Sequence, residues 1–166
     1  MLAVSREPIF TERLELRRTR VEDAAEMFTA LRDPLMYHFV PRTAPLNVAD
    51  IERRFARVIQ ETAPDRADQW LNWTVWLRGG VGIGTIEATV KPDERVEIGY
   101  LLDPRVWRRG YGREAVGAMI DHLSQNGATV FDAIIDIRND ASKALVASLG
   151  FALRETRGID EYWRRT

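Results

Sequence analysis

The sequence predicts a mixed α/β fold, one domain spanning residues 1–166 with helices flanking a central sheet. Three observations lead there. β-rich runs and amphipathic helical runs alternate along the whole chain, with no repeat and no linker between them. The strands in the middle follow one another through short turns, so they pair antiparallel. Only the later part carries a strand–helix–strand unit of the length that a parallel crossover needs. At 166 residues the chain is the size of one domain. It can bury roughly two-thirds of its unfolded surface in a single core.

Each element has its own signal. "RLELRRT", Arg13 to Thr19, alternates apolar and charged residues as a half-buried or edge strand does. "VEDAAEMFTALRD" turns to helical spacing, with Val21, Ala24, Ala25, Phe28 and Leu31 on one face, acidic residues in its first turn and Pro34 after its end. "NVADIERRFARVIQET" reads as a second amphipathic helix, capped by Asn47, with Ile51, Phe55, Val58 and Ile59 inward. "TAPDRADQ" is a loop. "WLNWTVWL" and "VGIGTIEATV" form a hairpin around Gly79-Gly80, and "RVEIGYLLD" is the next strand. A helix covers Tyr111 to Gln125, "ATVFDAIIDI" is a buried strand, and "ASKALVASLGF" is a short helix stopped by Gly150. "ALRETRG" and "DEYWRRT" make a last hairpin.

Composition removes several classes of function. Net charge is −1, so no global positive field points to nucleic acid. There is no cysteine, which excludes disulfides, zinc–thiolate sites and thiol catalysis. No apolar run reaches the length of about 18 residues that spans a membrane. "MLAVSREPIFTERLEL" carries charge where a signal peptide is apolar, so the expected location is the cytoplasm. His38 and His122 lack partners at ligand spacing and read as structural or surface residues.

"LLDPRVWRRGYGREAVGAMIDHL" concentrates bare backbone and positive charge where a helix begins. A helix N-terminus presents unpaired N–H groups and a positive dipole end. Gly110 and Gly112 let a ligand approach the backbone, and Arg108, Arg109 and Arg113 add full charges. Together these suit a phosphate or pyrophosphate. The loop also follows the carboxyl end of a strand, where open α/β sheets bind ligands. Gly110, Gly112 and Ala115 also fit G-x-G-x-x-A, with Asp132 at about the ribose-binding distance. Too few strand–helix units follow for a dinucleotide fold, and "DPRVWRR" holds the glycines away from their strand.

These residues resemble the GNAT superfamily of acyl-CoA-dependent N-acetyltransferases. The superfamily's phosphate loop, Gln/Arg-x-x-Gly-x-Gly/Ala, reads here Trp107-Arg108-Arg109-Gly110-Tyr111-Gly112. The tryptophan departs from that pattern and is similar to the RimJ/RimL-like branch of ribosomal-protein N-terminal acetyltransferases, whose W-x-x-G-Y-x-x-E-A continues in Glu114 and Ala115. "FTERLELRRTRVEDA", "VGIGTI", "VEIGYLLDPRVW" and "RNDASKALVASLGF" resemble further landmarks of the branch, in order. The resemblance implies a strongly twisted GNAT-like sheet, splayed between the strands near 96–102 and 129–137, with acetyl-CoA as co-substrate and no metal.

The resemblance also implies site residues. Backbone N–H groups of Arg109, Gly110, Tyr111, Gly112 and Arg113 would receive the pyrophosphate, with Arg108 beside them. Asn139 and Ser142 match positions that face the pantetheine arm, although either could instead simply cap the helix at Ala141. Lys143 could meet a CoA phosphate or lie solvated. Amide formation needs a base, an oxyanion donor and a proton for the thiolate. Glu97 is the first candidate for the base and Glu87, on the neighbouring strand, the second. A backbone N–H at Tyr100 or Leu101 would hold the thioester oxygen. Many members place a tyrosine where this chain has Val146; Ser142 is the first candidate to meet the thiolate, Tyr162 the second, and a thiolate is also a tolerable leaving group without an acid.

The acceptor expected is a primary amine on a peptide or protein N-terminus, in preference to a polycation. A polycation site needs several carboxylates, because each desolvated ammonium needs a partner. "LMYHFVPRTAPLN" has no acid, and the acids of the second helix and the C-terminus are matched by arginines. No nucleic-acid or membrane partner is expected, and the chain would act as a monomer or homodimer. The alternatives are a CoA-binding regulator without turnover and a nucleotide-binding oxidoreductase.

Overall fold

The computed structural model describes residues 1–61 and 67–166. Its eight-stranded mixed sheet has the order β1-β2-β3-β4-β5-β6-β8-β7. β1 (Ile9–Phe10), β2 (Leu14–Arg18), β3 (Gln69–Leu77), β4 (Gly82–Val90) and β5 (Val96–Leu102) run antiparallel in succession. α1 (Ala24–Leu31) and α2 (Val48–Val58) lie between β2 and β3. α3 (Tyr111–Gln125) carries the chain from β5 to β6 (Phe131–Asp136), which is parallel to β5. α4 (Asp140–Ser148) then leads to the hairpin of β7 (Ala152–Arg157) and β8 (Asp160–Arg165). β8 inserts between β6 and β7. This is the mixed α/β architecture that the sequence predicts. Of the expected loop "TAPDRADQ", residues 62–66 lie outside the described residues, and β3 already begins at Gln69.

Alternation along the strands sends each side chain to one of two cores. Trp73, Ile86, Ala88, Val96 and Ile98 pack with Val116, Met119, Ile120 and Leu123 of α3. On the other face Trp76 and Leu101 meet Met27, Leu31, Ile51 and Phe55 of α1 and α2. Strands covered on both faces read as near-continuous apolar runs, which is why "WLNWTVWL" hardly alternates. Trp73, wholly buried, anchors the α3 side; truncating such a side chain to alanine costs about 3–5 kcal/mol.

The helix ends follow their local chemistry. Asn47 caps α2 as expected and forms a full capping box with Asp50, an arrangement worth about 1 kcal/mol. α3 begins and ends where its periodicity predicts. Gly150, at φ +86°, ends α4 in a Schellman turn: Gly150 N–H donates to Ala147 O at 3.0 Å and Phe151 N–H to Val146 O at 3.1 Å.

Two inward faces differ from expectation. In α1, Ala25 is exposed while Met27 and Ala30 are buried. A 3₁₀ turn over Val21–Asp23 precedes the helix. Its tighter winding breaks the rotation that a continuous 3.6 period assumes from Val21. In α2, Ile59 is the C-cap residue and is 41% exposed, because the helix ends at Val58, one residue before its apolar pattern does. The two-residue β1, pairing Ile9 with Leu16, carries no periodic signal.

Candidate active site

β5 and β6 pair only at Val96–Phe131 and Glu97–Asp132. Beyond Glu97 the two strands separate, and β6 instead pairs along its whole length with β8. The opening lies between residues 98–102 of β5 and 133–136 of β6, inside the splay that the resemblance implies. Strand parity fixes which backbone groups face it. Val96 N–H donates to Val130 O at 2.9 Å, whereas Asp103 N–H donates to Ile83 O on the β4 side at 2.9 Å. The N–H groups of Ile98 and Tyr100 therefore point toward β6; that of Ile98 closes the last rung of the ladder, at Glu97–Asp132, and that of Tyr100 points into the opening. That of Leu101 points back to β4, opposite Thr85, and its side chain is buried among the α1–α2 core. Of the two expected backbone donors, the register thus turns only Tyr100 toward the opening.

The glycine loop stands at the carboxyl end of β5, on the mouth of this opening. Trp107 braces it: the indole Nε1–H donates to Leu102 O at 2.7 Å and closes the turn that leaves β5. Arg108 at φ +59° and Gly110 at φ +80° are both in the left-handed region. The non-glycine residue holds strain there of order 1 kcal/mol, a feature that clusters at functional sites. Gly110 is the N-cap of α3 without a capping side chain. Among the described residues, the N–H groups of Arg109, Gly110, Tyr111, Gly112 and Arg113 meet no protein acceptor. The first intrahelical bond is Glu114 N–H to Gly110 O at 3.1 Å. Arg108, Arg109 and Arg113 are exposed. This cradle fits a pyrophosphate by donor count and charge. Gly112 also has a packing reason to be bare: a Cβ there would stand 2.8 Å from Leu145 Cδ1 of α4 and 3.3 Å from Leu102 Cδ1.

Across the opening, α4 presents its first turn. Asn139 caps the helix, its Oδ1 accepting from Ser142 N–H at 3.1 Å, so the capping reading describes its side chain. The Ser142 hydroxyl is hydrogen-bonded to the hydroxyl of Tyr100. Burial pushes the Tyr100 phenol up to about 12, although the bond to Ser142 acts in the opposite direction. This hydroxyl pair bridges the gap between β5 and α4. Lys143 turns away from the opening, donating to Ile137 O at 2.7 Å and pairing with Asp140 at 2.9 Å. Val146 is fully buried in the core.

The other face of the sheet carries the two candidate carboxylates. Glu97 and Glu87 are both partly exposed there, and Glu87 stands opposite Gly99. Glu97 stands in register with Asp132 on β6, and its one ion-pair partner among the described residues is Lys91, whose Nζ is 3.7 Å away and nearer to Asp68, at 3.1 Å. Glu87 is engaged by Arg42 at 2.5 Å, from the segment between α1 and α2. The same segment brings Phe39 under the guanidinium of Arg138, 5.6 Å from the ring centroid. Asp136, at the end of β6, takes Arg138 in a two-armed pair at 2.9 and 2.6 Å; those hydrogen bonds lower its carboxyl to about 2.

Several participants have no signal in the spacing of the sequence. Arg42, Gly99 and the Tyr100 hydroxyl enter through pairing across elements, and Arg13 reaches the glycine loop from about a hundred residues earlier. Asp132, which a dinucleotide fingerprint would aim at a ribose, instead accepts from Arg164 at 2.6 and 2.9 Å.

A splayed parallel strand pair with an anion-ready helix start at its mouth suits a long donor that carries a pyrophosphate, as coenzyme A does. The chain belongs to the GNAT acetyltransferase family: the model of the "Acetyltransferase (GNAT) domain" matches residues 13–152, and its acyl donor is acetyl-CoA. YoaA of Bacillus subtilis, described as an uncharacterised N-acetyltransferase, is 26% identical over 145 residues, which are 85% of this chain and 80% of that protein. A probable GNAT-family acetyltransferase from Chromobacterium violaceum superposes with a TM-score of 0.83 at 17% identity, over 99% of this chain and 88% of that one. A RimL ribosomal L7/L12 α-N-protein acetyltransferase, solved with coenzyme A, superposes with a TM-score of 0.80 at 15% identity, covering 96% of this chain and 97% of its own. Among the described residues, no helix is long and apolar enough to cross a membrane.

Proposed function

We propose that this protein is an N-acetyltransferase that moves the acetyl group of acetyl-CoA to the primary amine of a peptide or protein N-terminus by direct attack. One observation supports the reading above all. Beyond Glu97, β5 and β6 part between a bare helix start at the mouth of the opening and a partly exposed carboxylate at its closed end.

In this reading the loop N–H groups and the guanidinium groups of Arg108, Arg109 and Arg113 hold the pyrophosphate. Acetyl-CoA supplies a thioester carbonyl and a sulfur leaving group. Tyr100 N–H donates to the thioester oxygen as negative charge develops on it. Glu97 takes the proton that the attacking amine loses, directly or through water. As the C–N bond forms and the C–S bond breaks, the Tyr100–Ser142 hydroxyl pair donates a proton to the departing sulfur. Glu87, tied to Arg42, orders the acceptor-side segment and is the second candidate for the base. Asn139 serves as the α4 cap and Lys143 as a clamp on Ile137.

The acceptor class follows from charge. The carboxylates around the acceptor face are matched by cations: Arg42 beside Glu87, Lys91 shared between Asp68 and Glu97, and Arg95 and Arg164 on Asp132. No concentration of acid forms there to hold several ammonium groups, so a cleft for one amine fits better. The name of the RimL-type structure, an α-N-protein acetyltransferase, agrees with a peptide amine.

The burial of Val146 favours one rival, a CoA-binding regulator without turnover. Mass spectrometry of the protein purified without added ligand should find CoA. An acceptor panel of N-terminal peptides, spermidine and kanamycin then separates the readings. No acetylation of any amine leaves the regulator; higher kcat/KM on a polycation than on every peptide removes the acceptor class.

A further inference from the structure

We propose that Arg13 and Glu114 form a latch that sets the shape of the glycine loop, making Arg13 a positioning residue for the pyrophosphate end of the acyl donor. This rests on the acetyltransferase reading above. Arg13 sits in the turn between β1 and β2, and Glu114 in the first turn of α3. Oε1 of Glu114 accepts from the Thr11 hydroxyl at 2.6 Å and from Arg13 N–H at 2.9 Å. Its Oε2 accepts from Nε and Nη2 of Arg13, each at 2.6 Å. The remaining arm of the guanidinium, Nη1, donates to Arg109 O at 2.8 Å. The same group stacks on Tyr111, 4.4 Å from the ring centroid.

The consequence lies in the peptide between Arg109 and Gly110. In a trans peptide the C=O and the next N–H point in opposite directions. Drawing Arg109 O toward Arg13 therefore aims Gly110 N–H away from the β1–β2 turn, on the loop's free side. Gly110 leaves the room this needs: a Cβ there would come 3.3 Å from Arg13 Nη2. Glu114 is the other half of the device. Burial alone would raise its carboxyl, but the bonds from Thr11 and Arg13 outweigh burial and hold it below its usual range. It stays an anion and keeps the guanidinium oriented. An isolated surface ion pair does little; a planar fork that grips a carboxylate and a carbonyl at once fixes direction, and lysine cannot copy it.

The rival role is a staple that only fastens the N-terminal hairpin to α3. Calorimetry separates the two, using CoA and pantetheine, which lacks the pyrophosphate. In Arg13→Ala and Glu114→Gln, CoA affinity should fall at least tenfold, while pantetheine affinity stays within twofold of the parent. Arg13→Lys, which keeps the charge, should remain at least fivefold weak for CoA. CoA affinity within twofold of the parent in the variants that fold, or equal losses for CoA and pantetheine, overturns the latch. A parent that binds CoA while its variants do not change removes the latch alone. A parent without CoA affinity removes the acetyltransferase reading with it.

Discussion

The carboxylate of Glu87 on β4 lies across the bare Cα of Gly99 on β5: a Cβ at Gly99 would stand 2.7 Å from Glu87 Oε1 and 2.9 Å from Cγ. The carboxylate is thus laid flat on the neighbouring strand, where Arg42 reaches it at 2.5 Å. Gly99→Ala should lift Glu87 and release Arg42 with the acceptor-side segment that carries it. Expected is a rise of about fivefold or more in acceptor KM, matched by Arg42→Ala, with CoA affinity within twofold of the parent. Steady-state kinetics on the best peptide of the panel would show this, and an unchanged KM in both variants would detach Glu87 from the acceptor side.

Glu97→Gln keeps the shape of the side chain and removes its basicity. Turnover should fall by about 10²–10⁴-fold, the usual range for loss of a general base. CoA binding should be intact, since Glu97 lies on the face away from α4 and far along β5 from the glycine loop. The comparison is best made over pH 6 to 9. Rates within a few-fold of the parent across that range would pass the role to Glu87 or to water.

The Tyr100 phenol, raised by burial to about 12, keeps its proton throughout the range of any ordinary assay. Tyr100→Phe should lower kcat by about tenfold without moving either limb of a pH–rate profile between pH 6 and 9. Stability offers a separate readout. A folded-state value above that of the unfolded chain contributes fully below about pH 10 and is lost as pH rises toward 12. The parent should therefore lose about 2 kcal/mol between pH 9 and pH 11.5 relative to Tyr100→Phe. Urea midpoints at pH 9 and pH 11.5 measure the difference, and parallel losses in both proteins would refute it.

Restoring the tyrosine common in the superfamily, through Val146→Tyr, should not restore an acid. Val146 is fully buried, and its carbonyl accepts from Phe151 N–H in the turn that ends α4. Adding a ring to a filled core costs about 1–3 kcal/mol, or a melting temperature lower by roughly 2–4 °C per kcal/mol at this size. A scanning-calorimetry trace with no loss of stability, together with a faster kcat, would show the position open to the cleft after all.

What the sequence disclosed depended on the range of the cause. Asn47, Gly150 and the span Tyr111–Gln125 were legible because caps and periodicity act within a turn or two. The glycine loop was legible because strand end, glycines and helix start are contiguous. Ile59 misled because an apolar residue past a helix end keeps the period without keeping the helix. Ala25 misled because a 3₁₀ turn reset the phase. The inactive direction of the Leu101 N–H and the bridge from Tyr100 to Ser142 depend on register across strands and on where α4 docks. Nothing local encodes either. Arg13 and Glu114 are 101 positions apart, and only the docking of α3 against the β1–β2 turn introduces them.

The two shared residue pairs between β5 and β6 have a mechanical meaning. Backbone hydrogen bonding joins β1 through β5 into one plate and β6, β8 and β7 into another, and these two pairs are the stitch between them. The opening needs no hinge and no lid, because the sheet was never sewn shut above Glu97. Cohesion there is left to α3 and the side chains beneath it, and to Tyr100 and Ser142 reaching across. A molecule threaded along the free edge of β5 would act as the missing thread, binding the plates together by the same backbone groups through which it is held.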